Sequence, residues 1–145
     1  MDIVNATIKD LWAVTKLALL LWPKQETQQL YEEMQSCLTD ADSALFVAKE
    51  DGAVIGFALC ALRRDYVEGT EKSPVGYLEG IFVDESWRGK HVAKMLVEAC
   101  EGFSKEKGCG EFASDCELRN KKSIAFHRGV GFSEANRIVC FIKKI

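Results

Sequence analysis

Apolar and polar positions along the chain follow two periods, one typical of helices and the other typical of strands. The helical period predicts helices at residues 8–21, at 26–39, from 92 to two glycines at 108 and 110, and at 120–130. Apolar runs predict strands at 2–6, 44–49, 53–62, 75–83 and 111–115, with one or two closing strands within 133–143. The order β-α-α-β-β-β-α-β-α-β predicts an α/β fold, in which a mixed sheet carries helices on both faces.

Local signals support several of these boundaries. Asp51-Gly52 is a strong hairpin signal between two predicted strands. Thr7 and Asp10 resemble a capping box at the start of the first helix, and Pro23 makes its continuation past residue 21 unfavourable. The strand at 53–62 is almost uniformly apolar, so we expect it at the centre of the sheet.

The centre of the chain combines a strand, a basic loop and a helix. The loop contains Arg88, Gly89 and Lys90, and Lys94 follows within the first turn of the helix. The apolar positions of that helix lie at helical spacing: Val92, Met95, Leu96, Ala99, Cys100 and Phe103. First-turn N–H groups have no intrahelical partner and lie at the positive end of the helix dipole. This segment therefore favours an anion such as a pyrophosphate, although an ordinary solvated turn remains the alternative.

Length and composition predict one domain over residues 1–145. A chain of 145 residues with 48% hydrophobic content can form a single core. The formal net charge of −3 argues against a nucleic-acid partner and suits a cationic small molecule, although mildly acidic chains are common. The apolar run at 17–22 is too short to span a bilayer, so we expect no membrane association.

The six cysteines form no Cys-x-x-Cys pair and do not interleave with the two histidines. We therefore expect no metal site. The N-terminus shows no signal peptide, and these features together predict a reducing cytoplasm.

The spacing from Arg88 to Ala93 resembles the Arg/Gln-x-x-Gly-x-Gly/Ala pyrophosphate loop of the Gcn5-related N-acetyltransferase (GNAT) superfamily, with His91 in place of the central Gly. The resemblance implies splayed central strands that hold the pantetheine arm of acetyl-CoA, with a bulge near residues 79–81. It further implies cofactor contacts from the strand end and the loop, namely Ile81, Phe82, Val83, Arg88, Gly89, Lys90, His91, Val92, Ala93 and Lys94.

Asn120, His127 and Gly131-Phe132 resemble the Asn…Tyr-x-x-x-Gly-Phe element of the same superfamily, with His127 where Tyr usually stands. The resemblance implies that Asn120 contacts the cofactor. It also gives His127 the role of general acid toward the departing thiolate, as a hypothesis. A histidine that merely packs beside CoA is the alternative.

Further motifs resemble the aminoglycoside 6′-N-acetyltransferases: Leu21-Trp22-Pro23, Asp65-Tyr66-Val67-Glu68-Gly69, Ser73-Pro74-Val75, Leu78-Glu79-Gly80-Ile81 and Ala113-Ser114-Asp115. The resemblance implies an antibiotic pocket with Trp22, Tyr66, Glu79 and Asp115, and a homodimer. Gln25 and Asn136 occupy positions where some relatives have polar or acidic substrate contacts.

Carboxylates suit a polycationic substrate, so Glu79 and Asp115 are expected to bind and orient the reacting amine. Carboxylates are weak bases near neutral pH, so we expect water to carry the 6′ proton away. We predict direct transfer of acetyl from acetyl-CoA to the 6′-amine in a ternary complex, conferring antibiotic resistance. The alternatives are a GNAT enzyme for another amine (a polyamine, an amino acid, or a protein lysine or N-terminus) and a non-catalytic acyl-CoA-binding module.

Overall fold

A five-stranded sheet in the order β1-β2-β3-β4-β5 forms the centre of the protein in a computed structural model, which describes residues 1–145. The strands are β1 (Asp2–Asn5), β2 (Ser43–Glu50), β3 (Ala53–Arg63), β4 (Val75–Val83) and β5 (Phe112–Ala113). The helices are α1 (Leu11–Leu21), α2 (Thr27–Cys37), α3 (Val92–Glu106) and α4 (Lys121–Gly129), and short 3-10 turns cover Ile8–Asp10 and Glu85–Trp87. Strands β1 to β4 are antiparallel in series and β5 runs parallel to β4, so the predicted mixed sheet is confirmed.

Helices cover both faces of the sheet, as the sequence predicts. Leu45 and Val47 of β2 pack in one cluster with residues of α1 and α2. Ala44 and Ala48 pack on the opposite face, in a cluster with α3. Successive side chains of a strand point to opposite faces, so the alternation along β2 supplies both cores.

A bulge in β4 lies where the sequence predicts it. Leu59 of β3 pairs with Gly80 and Cys60 pairs with Leu78, which leaves Glu79 as an extra residue on β4. A bulge re-aims a side chain and bends its strand. Glu79 therefore leaves the regular alternation at the point where the chemistry is expected.

The loop before α3 contains two left-handed residues. Gly89 has φ 76, and His91, the N-cap residue of α3, has φ 62 and ψ 13. Left-handed backbone favours glycine, but histidine is among the residues that adopt it more readily. His91 thus has left-handed backbone at the position where the resembled motif has its central Gly.

The prediction of closing strands within residues 133–143 is wrong for the single chain. Residues 132–145 form no helix or strand. Four apolar side chains there are between 70% and 93% exposed: Ile138, Val139, Phe141 and Ile142. Consecutive apolar residues give this segment the composition of a strand that is buried on both faces. A strand also needs a neighbour that pairs with its backbone N–H and C=O groups, and this segment has no such neighbour in its own chain.

Smaller differences concern element ends. The first helix opens with a 3-10 turn, and β5 spans only Phe112–Ala113 instead of residues 111–115. None of the helices is long and apolar enough to cross a membrane.

Candidate active site

Strands β4 and β5 separate after two pairs of residues. Gly76 pairs with Phe112 and Tyr77 with Ala113, and the ladder ends there although β4 continues to Val83. Beyond Tyr77, the edge of β4 that faces β5 has no strand partner. An open strand edge presents N–H and C=O groups to an extended ligand, so this gap fits the pantetheine arm of acetyl-CoA.

The loop before α3 lies at the far end of the same strand. The Arg88 Nε donates to the Val83 carbonyl at 3.0 Å, and its guanidinium lies 5.2 Å from the centre of the Phe82 ring. The Lys90 ammonium lies 4.4 Å from the centre of the Trp87 ring. Both cations belong to the loop that leads into α3, whose first-turn N–H groups lack intrahelical partners, so the loop fits a pyrophosphate.

A cleft of ≈ 200 Å³ opens between α2, the end of α1 and the bulge of β4. Its lining includes Trp22, Gln25, Leu30, Glu33, Met34, Cys37, Leu59 and Glu79. The structure therefore brings together three of the predicted substrate contacts, Trp22, Gln25 and Glu79. The lining also contains Glu33, which the sequence pattern of α2 assigns to its acidic, solvent-facing side.

The indole of Trp22 lies directly on Gly80. A Cβ built on Gly80 would lie 2.5 Å from the Cη2 and Cζ2 atoms of Trp22. Glycine inside a strand often marks a close approach of another group to the backbone, and at Gly80 the approaching group is this indole. Glycine at this position thus allows Trp22 to form a wall of the cleft beside the bulge.

The carboxylate of Glu79 is held by Arg63 at the end of β3. Arg63 donates from Nε to Oε1 at 2.9 Å and from the second nitrogen to Oε2 at 2.7 Å, a bidentate pair. The same guanidinium lies 3.4 Å above the Tyr77 ring. The hydrogen bond to Glu79 raises the pKa of Arg63, so Arg63 remains charged and fixes the direction of the carboxylate.

Asp115 accepts a hydrogen bond from the hydroxyl of the same tyrosine, Tyr77. Burial, followed by this bond to Asp115, raises the pKa of Tyr77. Tyr77 therefore stays a neutral donor. Glu79 and Asp115 carry two negative charges and Arg63 one positive, so the group has a net negative charge that favours a cation.

Ser114, the residue before Asp115, contacts a different partner. The Nε2 of His127 lies 2.8 Å from Ser114 Oγ, and the Nδ1 lies 2.7 Å from the carbonyl oxygen of Ser123. A carbonyl oxygen only accepts, so Nδ1 carries a proton. The rings of Phe126 and Phe132 lie 5.5 and 5.2 Å from the imidazole, measured between ring centres, and hold it in place.

Asp115 and His127 do not line the cleft, and neither do three further predicted site residues. Tyr66 is 78% exposed on the loop between β3 and β4. The side-chain amide of Asn136 donates at 3.0 Å to the carboxylate of Glu68, which lies on that loop. Asn120 caps α4, with its side-chain oxygen accepting the N–H of Ser123 at 3.0 Å. The substrate contacts of Tyr66 and Asn136 and the cofactor contact of Asn120 remain predictions.

Sequence reasoning missed four residues of the site: Glu33, Arg63, Tyr77 and Ser114. Arg63 and Tyr77 pair with residues 16 and 38 positions away in the chain, so no local spacing reveals them. Ser114 lies within the Ala113-Ser114-Asp115 motif, and alternation in the predicted strand at 111–115 could have placed the side chains of Ser114 and Asp115 on opposite faces.

Residues 11–132 match the Acetyltransferase (GNAT) family, and the chain belongs to that family. This confirms the predicted family and fold. An aminoglycoside N(6′)-acetyltransferase type 1 from Stenotrophomonas maltophilia is 42% identical over 94% of this chain and 89% of the relative. One of the same description from Salmonella typhimurium is 39% identical over 99% of both chains.

Solved structures agree with these relatives. The apo crystal structure of aminoglycoside antibiotic 6′-N-acetyltransferase AAC(6′)-IG from Acinetobacter haemolyticus has a TM-score of 0.94 and 38% identity, over 100% of this chain and 99% of that one. AAC(6′)-Iy in complex with a bisubstrate analogue, CoA-S-monomethyl-acetylneamine, has a TM-score of 0.95 and 37% identity, over 99% of this chain and 98% of that one.

Proposed function

We propose that this protein transfers the acetyl group of acetyl-CoA to the 6′-amino group of aminoglycoside antibiotics. The observation that carries the proposal is the pair of carboxylates, Glu79 and Asp115, at the point where β4 and β5 separate. The activity of relatives that match nearly the whole chain supports it.

Acetyl-CoA fits the chain along β4 and the loop before α3. The open edge of β4 at Ile81, Phe82 and Val83 offers backbone partners to the pantetheine arm, and a backbone N–H there stabilises the developing oxyanion. The pyrophosphate meets the N–H groups of residues 89–94, with charge from Arg88, Lys90 and Lys94. Asn120, at the start of α4, adjoins the cofactor in this arrangement.

The acceptor enters the cleft beside Trp22 with its ammonium groups toward Glu79 and Asp115. Gln25 lines this cleft, and Tyr66 and Asn136 extend the contact surface along the loop between β3 and β4. A nearby carboxylate favours the ammonium form, whereas only the free amine attacks. The two acids therefore bind and orient, and water removes the proton from the 6′ nitrogen.

Transfer is direct in this proposal, and Cys37, the cysteine in the cleft lining, is a poor nucleophile. Cys37 lines the cleft, and burial, with smaller contributions from Asp40 and Glu33, raises the pKa of its thiol. Burial likewise raises the pKa of the Cys109 thiol. A thiol that resists ionisation does not serve as an acyl carrier. All six cysteines are free, which agrees with our proposal that the protein works in the reducing cytoplasm.

We propose further that two copies form a homodimer through residues 133–145. Asn136 and its bond to Glu68 anchor the start of this segment, after which apolar side chains as far as Phe141 and Ile142 are exposed. An unpaired apolar strand and an open sheet edge at β5 are complementary, so each segment adds to the sheet of the other copy.

Light scattering on the full chain at several concentrations tests the dimer. We expect twice the chain mass for the wild type and a monomer for Phe141→Ser, because that change removes an apolar contact. Lys143→Ser, a polar change in the same segment, should leave the dimer intact. A wild type that stays monomeric at tens of micromolar contradicts the proposal.

Acetyl transfer by the purified protein tests the function. We expect turnover with drugs that carry a 6′-amine and none with drugs that carry a 6′-hydroxyl, and a susceptible bacterium expressing the chain should resist only the former. Preferred turnover of spermidine or a lysine peptide would point to another amine, and tight CoA binding without turnover of any amine would refute an enzyme.

The substitution Asp115→Asn tests the carboxylate. Asparagine still accepts from Tyr77 but loses the charge, so KM for the drug should rise about 10- to 100-fold, as for loss of a charged hydrogen bond. Glu117→Gln removes an exposed carboxylate two residues away and should leave KM unchanged. Equal KM values for wild type and Asp115→Asn would remove Asp115 from the site.

A further inference from the structure

The geometry points to Ser114 as the group that protonates the departing CoA thiolate, with His127 supplying the proton to Ser114. This inference rests on the proposed acetyl transfer. It concerns only the leaving group, so it holds for whichever amine attacks.

Ser114 rather than His127 faces the gap between the strands. Ser114 directly follows the last paired residue of β5, and its Oγ lies 3.5 Å from the carbonyl oxygen of Leu78, the first β4 residue beyond the ladder. The hydroxyl thus lies at the apex of the gap that fits the thioester. Both nitrogens of His127 are already engaged, Nδ1 by the Ser123 carbonyl and Nε2 by Ser114. A proton that leaves His127 from Nε2 therefore passes through the Ser114 hydroxyl.

The two faces of the sheet separate this pair from the amine. Ser114 and Asp115 are consecutive, and successive side chains of an extended chain point to opposite faces. Asp115 contacts Tyr77, whose ring carries Arg63, whereas Ser114 contacts α4. The amine therefore approaches from the side of the sheet that carries the carboxylate. The Ser114 hydroxyl lies on the other side, where it can protonate the sulfur and does not contact the attacking nitrogen.

The proton inventory of the step balances. When His127 is doubly protonated, Nδ1 donates to Ser123 and Nε2 donates to Ser114 Oγ. The Ser114 O–H then donates at the apex of the gap, where its long 3.5 Å bond to the Leu78 carbonyl oxygen can be exchanged for one to sulfur. The amine forms the C–N bond, the C–S bond breaks, and sulfur takes the electron pair. The Ser114 proton moves to sulfur while the Nε2 proton moves to Ser114. The acylated nitrogen loses its extra proton to water, and neutral His127 regains a proton from water.

Single-turnover acetyl transfer, measured by rapid quench at saturating substrates, tests the relay. Ser114→Ala should slow the transfer about 100-fold, the lower end of the contribution of general acid catalysis, with the dissociation constant of acetyl-CoA unchanged. It should also lower the solvent deuterium isotope effect on that step, which a purely structural role would not alter. Ser114→Thr keeps the hydroxyl and should retain most of the rate.

Ser43→Ala is the matched control. The Ser43 hydroxyl donates to Asp40 at 2.9 Å at the start of β2 and contacts no residue of the relay. We expect a rate near that of the wild type. If Ser114→Ala folds and transfers acetyl at the wild-type rate with an unchanged isotope effect, the relay is overturned while the proposed function stands. If the wild type acetylates another amine but no aminoglycoside, the proposed substrate fails, and the same variants test the relay with that amine. A wild type inactive on all amines overturns both.

Discussion

Adding one methyl group at Gly80 should disturb the acceptor cleft more than it disturbs the fold. The methyl of Gly80→Ala would lie 2.5 Å from two atoms of the Trp22 indole, whereas 3.4 Å marks the start of ordinary contact. The ring must therefore retreat by about 0.9 Å, the difference between these two distances. Trp22 is only half-buried, so it can move outward without rebuilding the core.

The two consequences differ in size. Overpacking costs about 1–3 kcal/mol of unfolding free energy, and we expect about 1 because the indole can shift. A displacement of about 1 Å in a substrate-positioning wall can cost on the order of 100-fold in rate, so we expect at least a tenfold loss in kcat/KM for the drug. Urea unfolding measures the first effect and steady-state kinetics the second.

Gly102→Ala provides the opposite expectation. Gly102 lies within α3, and a Cβ there meets nothing within 4 Å. Alanine is a better helix former, so this variant should gain about 0.5–1 kcal/mol and keep its activity. In addition, Trp22→Leu should reduce the stability cost of Gly80→Ala by removing the clashing ring. Full activity in Gly80→Ala would refute the assignment of Trp22 as a wall of the cleft.

Two further predictions concern ionisation and backbone strain. The folded state holds the pKa of Tyr77 above its reference value of 10.0, so ionisation favours the unfolded chain, and stability should fall above about pH 10 by up to about 1.4 kcal/mol per pH unit. Urea unfolding between pH 8 and 11 should show this loss reduced in Tyr77→Phe but not in Tyr66→Phe, whose ring is exposed; equal losses in all three proteins would contradict it. His91→Gly should relieve a left-handed residue worth about 1 kcal/mol, partly offset by the greater entropy of the unfolded chain, and should lower KM for acetyl-CoA. Asp51→Gly, at φ 50 in the β2–β3 hairpin, should share the stability effect without changing KM, and a KM change in both variants or in neither would refute a local role for His91.

Most of the fold could be predicted from the sequence because the signals are local. The apolar periods located all four helices, and Asp51-Gly52 located the hairpin between β2 and β3. The bulge of β4 was expected from the resemblance to the GNAT superfamily, and Gly80 agrees with it, since glycine inside a strand often marks such a feature. Each of these signals depends on neighbours within a few residues.

The partners within the site could not be predicted in the same way. Arg63 lies half-buried at the end of an apolar strand and pairs with Val75 of β4, and its long side chain reaches along the sheet to Glu79 at the bulge. The sequence pattern predicts that Tyr77 is a core residue of β4. Only the parallel pairing of β4 with β5 places its hydroxyl at Asp115. These contacts follow from sheet register, which the sequence specifies collectively.

The closing strands illustrate a different kind of error. The apolar content of residues 133–143 is real, but apolar content indicates that a segment becomes buried without indicating by which chain. Ile138 and Phe141 remain exposed in the single chain, so the composition is satisfied only if another surface covers it. The same pattern that misled the prediction of a closing strand therefore supports the proposed dimer.

The alternation of Ser114 and Asp115, directly after β5, separates the two halves of the proposed reaction. Asp115 serves the amine and Ser114 the leaving thiolate, so a shift of β5 by one residue would exchange their faces and disable both. The ladder between β4 and β5 has only two residue pairs and is a weak constraint on register by itself. The bonds of Asp115 to Tyr77 and of Ser114 to His127 each add a constraint, on opposite faces of the sheet. The residues that carry the proposed chemistry thus also hold the strand in the register that the chemistry needs.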